Sequence, residues 1–164
     1  MTAQHTVLAT VLGDLTIVRD GAQLTGVYFP HHWYRPDPQA FGPRTGEGFG
    51  EAGEQLAGYL AGTRMSFDLP LDPRGTALQL RVWDLIAQIP YGQTASYGEL
   101  ARQLGGPETA QEVGAAVGRN PLSILIPCHR VIGSDGKLTG YAGGLKRKQW
   151  LLELERAPVA VPLW

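Results

Sequence analysis

The spacing of apolar residues changes once along this chain, at residues 72–75, and that change limits the folds the chain can adopt. Before it, short runs rich in β-branched residues alternate with turn residues, which is the pattern of strands. After it, apolar residues recur every three or four positions, which is the period of a helix. The sequence "DPRG" at the change has the composition of a linker. We therefore predict an α/β domain over residues 1–75 and a mainly helical domain over residues 76–164.

The first domain is predicted to contain strands, a long loop and a helix. In chain order, the predicted elements are strands at 5–13, 15–20 and 23–29, a helix at 49–61 and a last strand at 65–71. The sequence "RDGAQ" is typical of a hairpin, and the proline-rich segment 30–48 predicts a long surface loop. The apolar face of the helix is predicted to consist of Phe49, Ala52, Leu56 and Tyr59. His31 and His32 are candidate metal ligands, although adjacent side chains usually point apart.

The second domain is predicted to contain a helix-turn-helix. A first helix within 76–90 has one apolar stripe, formed by Leu78, Val82, Leu85, Ile86 and Ile89. "SYGELARQLGG" then begins with a capping box, Ser96 with Glu99, and ends at a glycine pair. The next helix, "ETAQEVGAAVG", is predicted to bury Ala110, Val113 and Val117. Two such helices are typical of DNA binding, and a plain helical hairpin is the alternative.

One face of that second helix carries almost no side-chain bulk. It is formed by Gln111, Ala115 and Gly118. Another backbone can approach such a face closely, which suits contact with a DNA strand.

Composition excludes several classes of protein. With 164 residues and 43% hydrophobic residues, the chain can bury a core, as one unit or as two small ones that share it. Its single cysteine excludes an internal disulfide and multi-cysteine metal sites, which suits a reducing cytoplasm. No signal peptide or membrane-length apolar run is present, so no membrane partner is expected. The net charge is −1, but residues 76–164 carry 9 basic and 7 acidic side chains, so a polyanion should meet that part.

The single cysteine lies in "LIPCHRVIG", directly before a histidine. In the last predicted helix, "LKRKQWLLELER", Glu155 falls on the apolar side with Leu151, whereas Glu153 falls on the wet side. A buried carboxylate needs a donor, and His129 is a candidate. Cys128, His129 and Glu155 together would form an activated thiol, with a bridging water because neighbouring side chains point apart on a strand. The alternatives are that Cys128 is a small buried apolar residue and that Glu155 is wet.

Three stretches taken together resemble one known family. "IPYGQTASYGELA", "RNP" followed by "IPCHRVI", and "GKLTGYAGGLKRKQWLLELE" resemble the O6-alkylguanine-DNA alkyltransferases, also called methylated-DNA–protein-cysteine methyltransferases. The resemblance runs without gaps across residues 76–156, and its PCHR core is highly specific for that family. Residues 1–75 are similar only in outline, notably in "QLAGYLAG" and "FDLPL".

The resemblance implies a fold and a reaction. The fold is a ribonuclease-H-like α/β domain followed by a helical domain with a winged-helix-like helix-turn-helix. The implied reaction is DNA repair: the protein binds the minor groove of double-stranded DNA, extrudes the damaged base and moves its alkyl group irreversibly to Cys128. The implied substrates are O6-alkylguanine and O4-alkylthymine. Extrusion is physically required, because a buried thiol cannot reach a stacked base. No cofactor is implied, and we expect a monomer that binds DNA cooperatively.

The same resemblance implies roles for single residues. His129 would be the water-mediated base, Glu155 would orient it, and Asn120 would buttress the site. The implied substrate contacts are Tyr97 and Tyr141 through their side chains, the carbonyls of Cys128 and Val131 to the guanine amine, and the Ala142 N–H to O6. The implied DNA contacts are Thr94, Ser96, Gln111, Ala115, Gly118 and Arg130, of which Arg130 also completes the structural signature.

The chain departs from the family pattern at several positions. Gln111 stands where the family has the arginine that enters the base stack, and Glu112 follows it where a small residue is usual. Leu78 replaces a phenylalanine, and the cysteines of the zinc site of some members are absent. Two other function classes are a damage sensor that binds alkylated DNA without repair and a thiol hydrolase or redox enzyme. Cys128 speaks against the sensor, and the helix-turn-helix and the lack of a second cysteine speak against the thiol enzyme.

Overall fold

The N-terminal part of the protein is a three-stranded antiparallel sheet with one helix. The computed structural model describes residues 3–156. The strands are β1 (Ala3–Thr10), β2 (Gly13–Asp20) and β3 (Gln23–Tyr28), in the order β1-β2-β3, and α1 is Gly50–Leu60. The predicted hairpin is confirmed, since Gly21 has a φ of 61° in the turn between β2 and β3. All four residues predicted for the apolar face of α1 are buried.

The last strand predicted for this part was wrong. Residues 65–71 form no strand, and only Leu71 makes a single bridge, to Leu24. Pro70 in this run has no N–H and serves only as an acceptor, here for the Leu24 N–H, so a ladder cannot continue through it. The segment 30–48 is a long and largely exposed loop, as predicted, and it contains one 3₁₀ turn, Pro38–Phe41, whose Phe41 is buried beside Val18 and Tyr28.

Up to residue 156, where the described residues end, the C-terminal part contains four α-helices and a small parallel pair of strands. The helices are α2 (Ala77–Ala87), α3 (Tyr97–Leu104), α4 (Ala110–Gly118) and α5 (Leu145–Glu155). Two short strands, β4 (Ala95–Ser96) and β5 (Val131–Ile132), pair in parallel. The predicted capping box of α3 is present, and α3 ends at Gly105 in the left-handed region. No helix within residues 3–156 is long and apolar enough to cross a membrane.

The apolar pattern of these helices was predicted with two errors. Trp83 was left out of the α2 stripe, yet it is 2% exposed and its Nε1–H donates to the Ala116 carbonyl. Leu78 and Leu85 are half-buried and pack against the core, as their place on the stripe predicts. Ala110 is exposed, because it is the first residue of α4 and faces solvent at the helix end.

A single hydrophobic core joins the two parts. Leu15, Ile17 and Leu56 from the first part pack in the same cluster as Val82 and Leu151 from the second. The protein is therefore two small units that share a core, which is one of the two arrangements its composition allowed.

Candidate active site

The segment that leads to Cys128 is fastened to the N-terminal sheet. The Val27 N–H donates to the Pro121 carbonyl at 2.8 Å, and the Ser123 N–H donates to the Val27 carbonyl at 3.3 Å. Asn120 fastens the same turn from inside, since its Nδ2 donates to the Ile126 carbonyl at 2.8 Å and its Oδ1 accepts the Leu122 N–H at 3.0 Å. Residues 120–128, which we call the acceptor segment, are thus held on both sides.

Cys128 begins a 3₁₀ turn, Cys128–Arg130, rather than lying on a strand. This corrects the strand geometry assumed for Cys128 and His129. In a turn of three residues per revolution, consecutive side chains are still about 120° apart, so the two groups diverge as predicted. Cys128 is 3% exposed and His129 is fully buried.

Glu155 of α5 is the centre of a buried network. Its Oε2 lies 2.8 Å from His129 Nε2, and both side chains are fully buried. The predicted burial of Glu155 and its pairing with His129 are therefore confirmed. Glu153, by contrast, is exposed and pairs with Gln149 on the outer face.

Two further side chains that donate to Glu155 were not predicted from the sequence. Arg130 binds both carboxylate oxygens, through Nε at 2.8 Å and Nη2 at 2.9 Å, and its Nη1 donates to the Ile89 carbonyl at 2.6 Å. Tyr59 of α1 also donates its hydroxyl to Glu155. A buried carboxylate that accepts from a cation and two neutral donors is well satisfied.

These contacts correct the DNA-contacting role predicted for Arg130. Its side chain is 9% exposed, and its Nε–H, Nη1 and Nη2 groups are taken up by Glu155 and Ile89. Arg130 therefore stabilises the buried carboxylate of Glu155, and its guanidinium is engaged within the protein rather than presented to a phosphate. The structural part of its predicted role is confirmed.

The network sets the protonation of Glu155 and His129. Burial raises the pKa of Glu155, but the hydrogen bonds from His129 and Arg130 have the larger effect and bring the pKa down to about 2. Burial lowers the pKa of His129, although Glu155 opposes this effect, so the imidazole is neutral at pH 7. The neutral ring donates its Nε2–H to the carboxylate, which leaves Nδ1 as the acceptor nitrogen. Nδ1 is buried and has no partner among residues 3–156, so it is available as a base.

The thiol itself needs such a base. Burial raises the pKa of Cys128, whereas a hydrogen bond from Asn120 and the charge of Lys148 lower it. Lys148 of α5 was not predicted as a site residue. It is fully buried, its Nζ donates to the Thr139 carbonyl at 3.1 Å, and burial lowers its pKa to about 8. Lys148 lies one turn before Leu152, on the inward arc of α5 that also carries Glu155, so helical spacing could have found it.

Cys128 opens onto a cavity of about 160 Å³. It is lined by Trp33, Tyr97, Gly114, Val117, Gly118, Cys128, Gly140, Tyr141 and Ala142. Three of the four predicted substrate residues therefore share one cavity with the thiol, and the hydroxyl of Tyr97 lies 2.8 Å from that of Thr139. Val131, the fourth, is fully buried in β5 and does not line the cavity. Trp33 belongs to a segment that was predicted only as a loop.

The bulk-free face of α4 lies beside this cavity. Gln111 and Ala115 are exposed, Gly118 is half-buried, and Gly118 belongs both to this face and to the cavity wall. Glu112 accepts the N–H of Thr109 and completes a capping box, which explains an acidic residue at this position.

Thr94 and Ser96 lie just before α3. Thr94 is half-buried, whereas Ser96 is 8% exposed and caps α3 by accepting the Glu99 N–H.

The two histidines at 31 and 32 do not form a metal site in this structure. His31 is exposed, while His32 is buried and its Nδ1 accepts the Phe29 N–H at 3.3 Å. Within residues 3–156, no group of three or more His, Cys, Asp or Glu side chains could hold a metal ion.

Comparison with known proteins agrees with this geometry. Residues 4–73 match the ribonuclease-like domain of 6-O-methylguanine DNA methyltransferase, and residues 77–157 match its DNA binding domain. The methylated-DNA–protein-cysteine methyltransferase of Mycobacterium tuberculosis (strain ATCC 25618 / H37Rv) is 48% identical over 155 residues, which are 93% of each chain. That of Haemophilus influenzae is 39% identical over 94% of this chain and 87% of the relative.

A solved structure extends the agreement to the fold. A crystal structure of Mycobacterium tuberculosis OGT in complex with DNA superposes with a TM-score of 0.87 at 46% identity, covering 94% of this chain and 95% of that one. The expected ribonuclease-like domain followed by a helical DNA-binding domain is thereby confirmed. The chain belongs to the 6-O-methylguanine DNA methyltransferase family.

Proposed function

We propose that this protein repairs DNA by taking the alkyl group of O6-alkylguanine onto Cys128. The observation that carries the proposal is the buried thiol at the inner end of a cavity, backed by the His129–Glu155–Arg130 network. The membership of the family and the names of its relatives point to the same reaction.

The proposed transfer balances without any further reactant. His129 Nδ1 takes the thiol proton through a water molecule, and Sγ attacks the alkyl carbon. The Sγ–C bond forms as the C–O6 bond breaks, its electron pair goes to the guanine, and the proton ends on the guanine ring. The products are a thioether and unmodified guanine. A thioether has no route back to a thiol in this site, so each molecule acts once and needs no cofactor.

Base extrusion follows from the burial of the thiol. A sulfur atom on a residue that is 3% exposed cannot reach O6 in a stacked base pair. We propose that α4 enters the minor groove with its bulk-free face, Gln111, Ala115 and Gly118, and that Thr94 and Ser96 contact the backbone. The extruded base would lie between Tyr97 and Tyr141, with O6 at the Ala142 N–H and the amine at the carbonyls of Cys128 and Val131.

The remaining expectations belong to the same proposal. Residues 76–164 would carry DNA binding and alkyl acceptance, with residues 1–75 supporting the acceptor segment. O4-alkylthymine would be a second substrate, and the free monomer would assemble cooperatively on double-stranded DNA. A reducing cytoplasm would keep Cys128 as the thiol.

Mass spectrometry of the intact protein tests the proposal. After mixing with a duplex that contains O6-methylguanine, we expect one added methyl group, confined to the peptide with Cys128. Cys128→Ser should bind the same duplex and accept nothing, because a hydroxyl is far harder to ionise. Binding without any transfer by the unmodified chain would instead assign it as a damage sensor. An adduct elsewhere, or transfer by the serine variant, would contradict the role of Cys128.

A further inference from the structure

Trp33 brings the N-terminal part of the chain to the mouth of the Cys128 cavity. It follows β3 in the segment 30–48, is 51% exposed and lines the cavity together with Cys128. Its backbone N–H donates to the Ala142 carbonyl at 3.0 Å. In the proposed reaction the N–H of that same Ala142 meets O6, so the tryptophan is fastened at the residue where the alkyl-bearing oxygen would lie.

Gly140 leaves the space that the indole fills. A Cβ built on Gly140 would lie 2.8 Å from Cη2 of Trp33 and 3.5 Å from Cζ3, and no other residue approaches that position more closely. Carbon atoms in contact are ordinarily about 3.5–4.0 Å apart, so a side chain here would displace the indole. Gly140 has no positive φ, so its backbone does not require a glycine. The small residue at 140 is therefore explained by Trp33.

The cavity that results is small for its proposed substrate. Its volume is about 160 Å³, whereas pockets for drug-sized ligands begin at roughly 300 Å³. Cys128 lies at the buried end and the half-exposed Trp33 at the outer end. Substituent atoms beyond a methyl group must therefore compete with the indole for room.

We infer that Trp33 is a specificity-determining residue whose indole limits the size of the O6 substituent that can reach Cys128. This inference rests on the proposed alkyl transfer. It assigns the selection of the alkyl group to a residue of the N-terminal domain, outside the segment that carries the thiol.

The test compares two free bases, O6-methylguanine and O6-benzylguanine, which need no extrusion from DNA. The measured quantity is the ratio of the benzyl to the methyl rate constant for adduct formation on the full chain. We expect Trp33→Ala to raise that ratio about tenfold, which corresponds to about 1.4 kcal/mol, and Trp33→Leu to raise it less. Tyr34→Ala is the matched control, because the Tyr34 ring packs on Arg119 at 3.6 Å and does not line the cavity. Its ratio should equal that of the unmodified chain.

A double-variant cycle tests the contact between Trp33 and Gly140 directly. Gly140→Ala should lower the melting temperature of the unmodified chain, because its Cβ clashes with the indole. In the Trp33→Ala background the same change should have little effect, since the clashing atoms are gone. Additive effects on the melting temperature would show that the indole does not occupy this space.

The possible failures are distinguishable. If the unmodified chain accepts no methyl group from either free base or duplex DNA, the proposed function fails and the inference fails with it. If methyl transfer occurs but Trp33→Ala leaves the benzyl-to-methyl ratio unchanged, only the inference fails. A lower ratio would also overturn it, because the indole would then be a stacking surface that favours large substituents.

Discussion

A single carboxylate, Glu155, gathers the donors behind the thiol, and its loss should be felt in both chemistry and stability. Glu155→Gln leaves Arg130 buried without its anion, and breaking one partner of a buried pair typically costs about 3–5 kcal/mol. It also removes the group that sets the tautomer of His129, so transfer to Cys128 should slow. Glu153→Gln, on the exposed face of α5, is the matched control and should change neither. Urea unfolding and single-turnover rates measure the two effects, and equal effects of the two substitutions would contradict the assignment.

The stabilisation by Glu155 has a defined pH window. Its pKa is about 2 in the folded protein and near 4.5 as the ordinary value, so the unfolded chain binds its proton first as the pH falls. The contribution is therefore complete above about pH 4.5 and is lost as the pH falls toward 2. The difference in free energy of unfolding between the unmodified chain and Glu155→Gln should shrink across that window. A constant difference from pH 7 to pH 2 would show that the carboxylate is not held ionised.

Lys148 is predicted to lower the stability of the folded protein while it raises the reactivity of the Cys128 thiol. Its pKa is lowered from 10.5 to about 8, which is on the order of 3 kcal/mol of penalty for the buried ammonium. Lys148→Met should therefore stabilise the protein below about pH 8. The gain is reduced by the loss of the hydrogen bond from Lys148 to the Thr139 carbonyl. The gain should vanish as the pH rises from 8 to 10.5, because the unfolded lysine then also loses its charge.

The same substitution should slow transfer, since the charge that lowers the pKa of Cys128 is gone. Rates measured against pH should show the thiol ionising at higher pH in Lys148→Met than in the unmodified chain. A faster variant, or one that is less stable at pH 7, would contradict this account of the lysine.

At the scale of elements, α4 determines how the protein would enter DNA. Gln111 is exposed in its first turn, where an arginine would offer a planar cation that stacks on bases. Unstacking a base costs a few kcal/mol. A residue at 111 that fills the place of the extruded base less well can therefore slow duplex repair by roughly one or two orders of magnitude. Gln111→Arg should therefore speed repair of O6-methylguanine in duplex DNA and barely change the reaction with free O6-benzylguanine. Equal gains on both substrates, or no gain on the duplex, would contradict the role in extrusion.

Elements whose signals come from neighbouring residues were predictable from the sequence. Features that depend on contacts between distant residues were not. The α3 capping box and its glycine stop depend on neighbours in sequence, so both were found. The extended run at 65–71 has strand composition, but whether it pairs depends on a distant edge and on Pro70, so it was assigned wrongly.

The candidate site divides in the same way. Helical spacing placed Glu155 on the inward side of α5, and the need of a buried carboxylate for a donor made His129 a candidate partner. The donors from Tyr59 and Arg130, and the wall formed by Trp33, come from residues distant in sequence whose meeting no spacing reveals.

At the scale of the whole molecule, the shared core predicts that the two domains unfold together. Leu56 and Leu151 belong to one cluster, and Arg147 of α5 joins the parts by donating from Nε to the Leu12 carbonyl at 2.7 Å. In urea we expect one transition, coincident by circular dichroism and by tryptophan fluorescence. Trp83 reports mainly on the second part, so two separated transitions would show that the domains fold independently.

The backbone link between β3 and the acceptor segment offers a way to watch how the protein opens. The amide protons of Val27 and Ser123 each bond across the boundary between the two parts. If the parts hinge apart without unfolding, these two protons should exchange with deuterium faster than the amide of Ile17, which lies inside the N-terminal sheet. If all three exchange at the rate of global unfolding, the parts do not separate in the native state. An incoming base must then reach Cys128 through the mouth beside Trp33, because no wider path opens between the two parts.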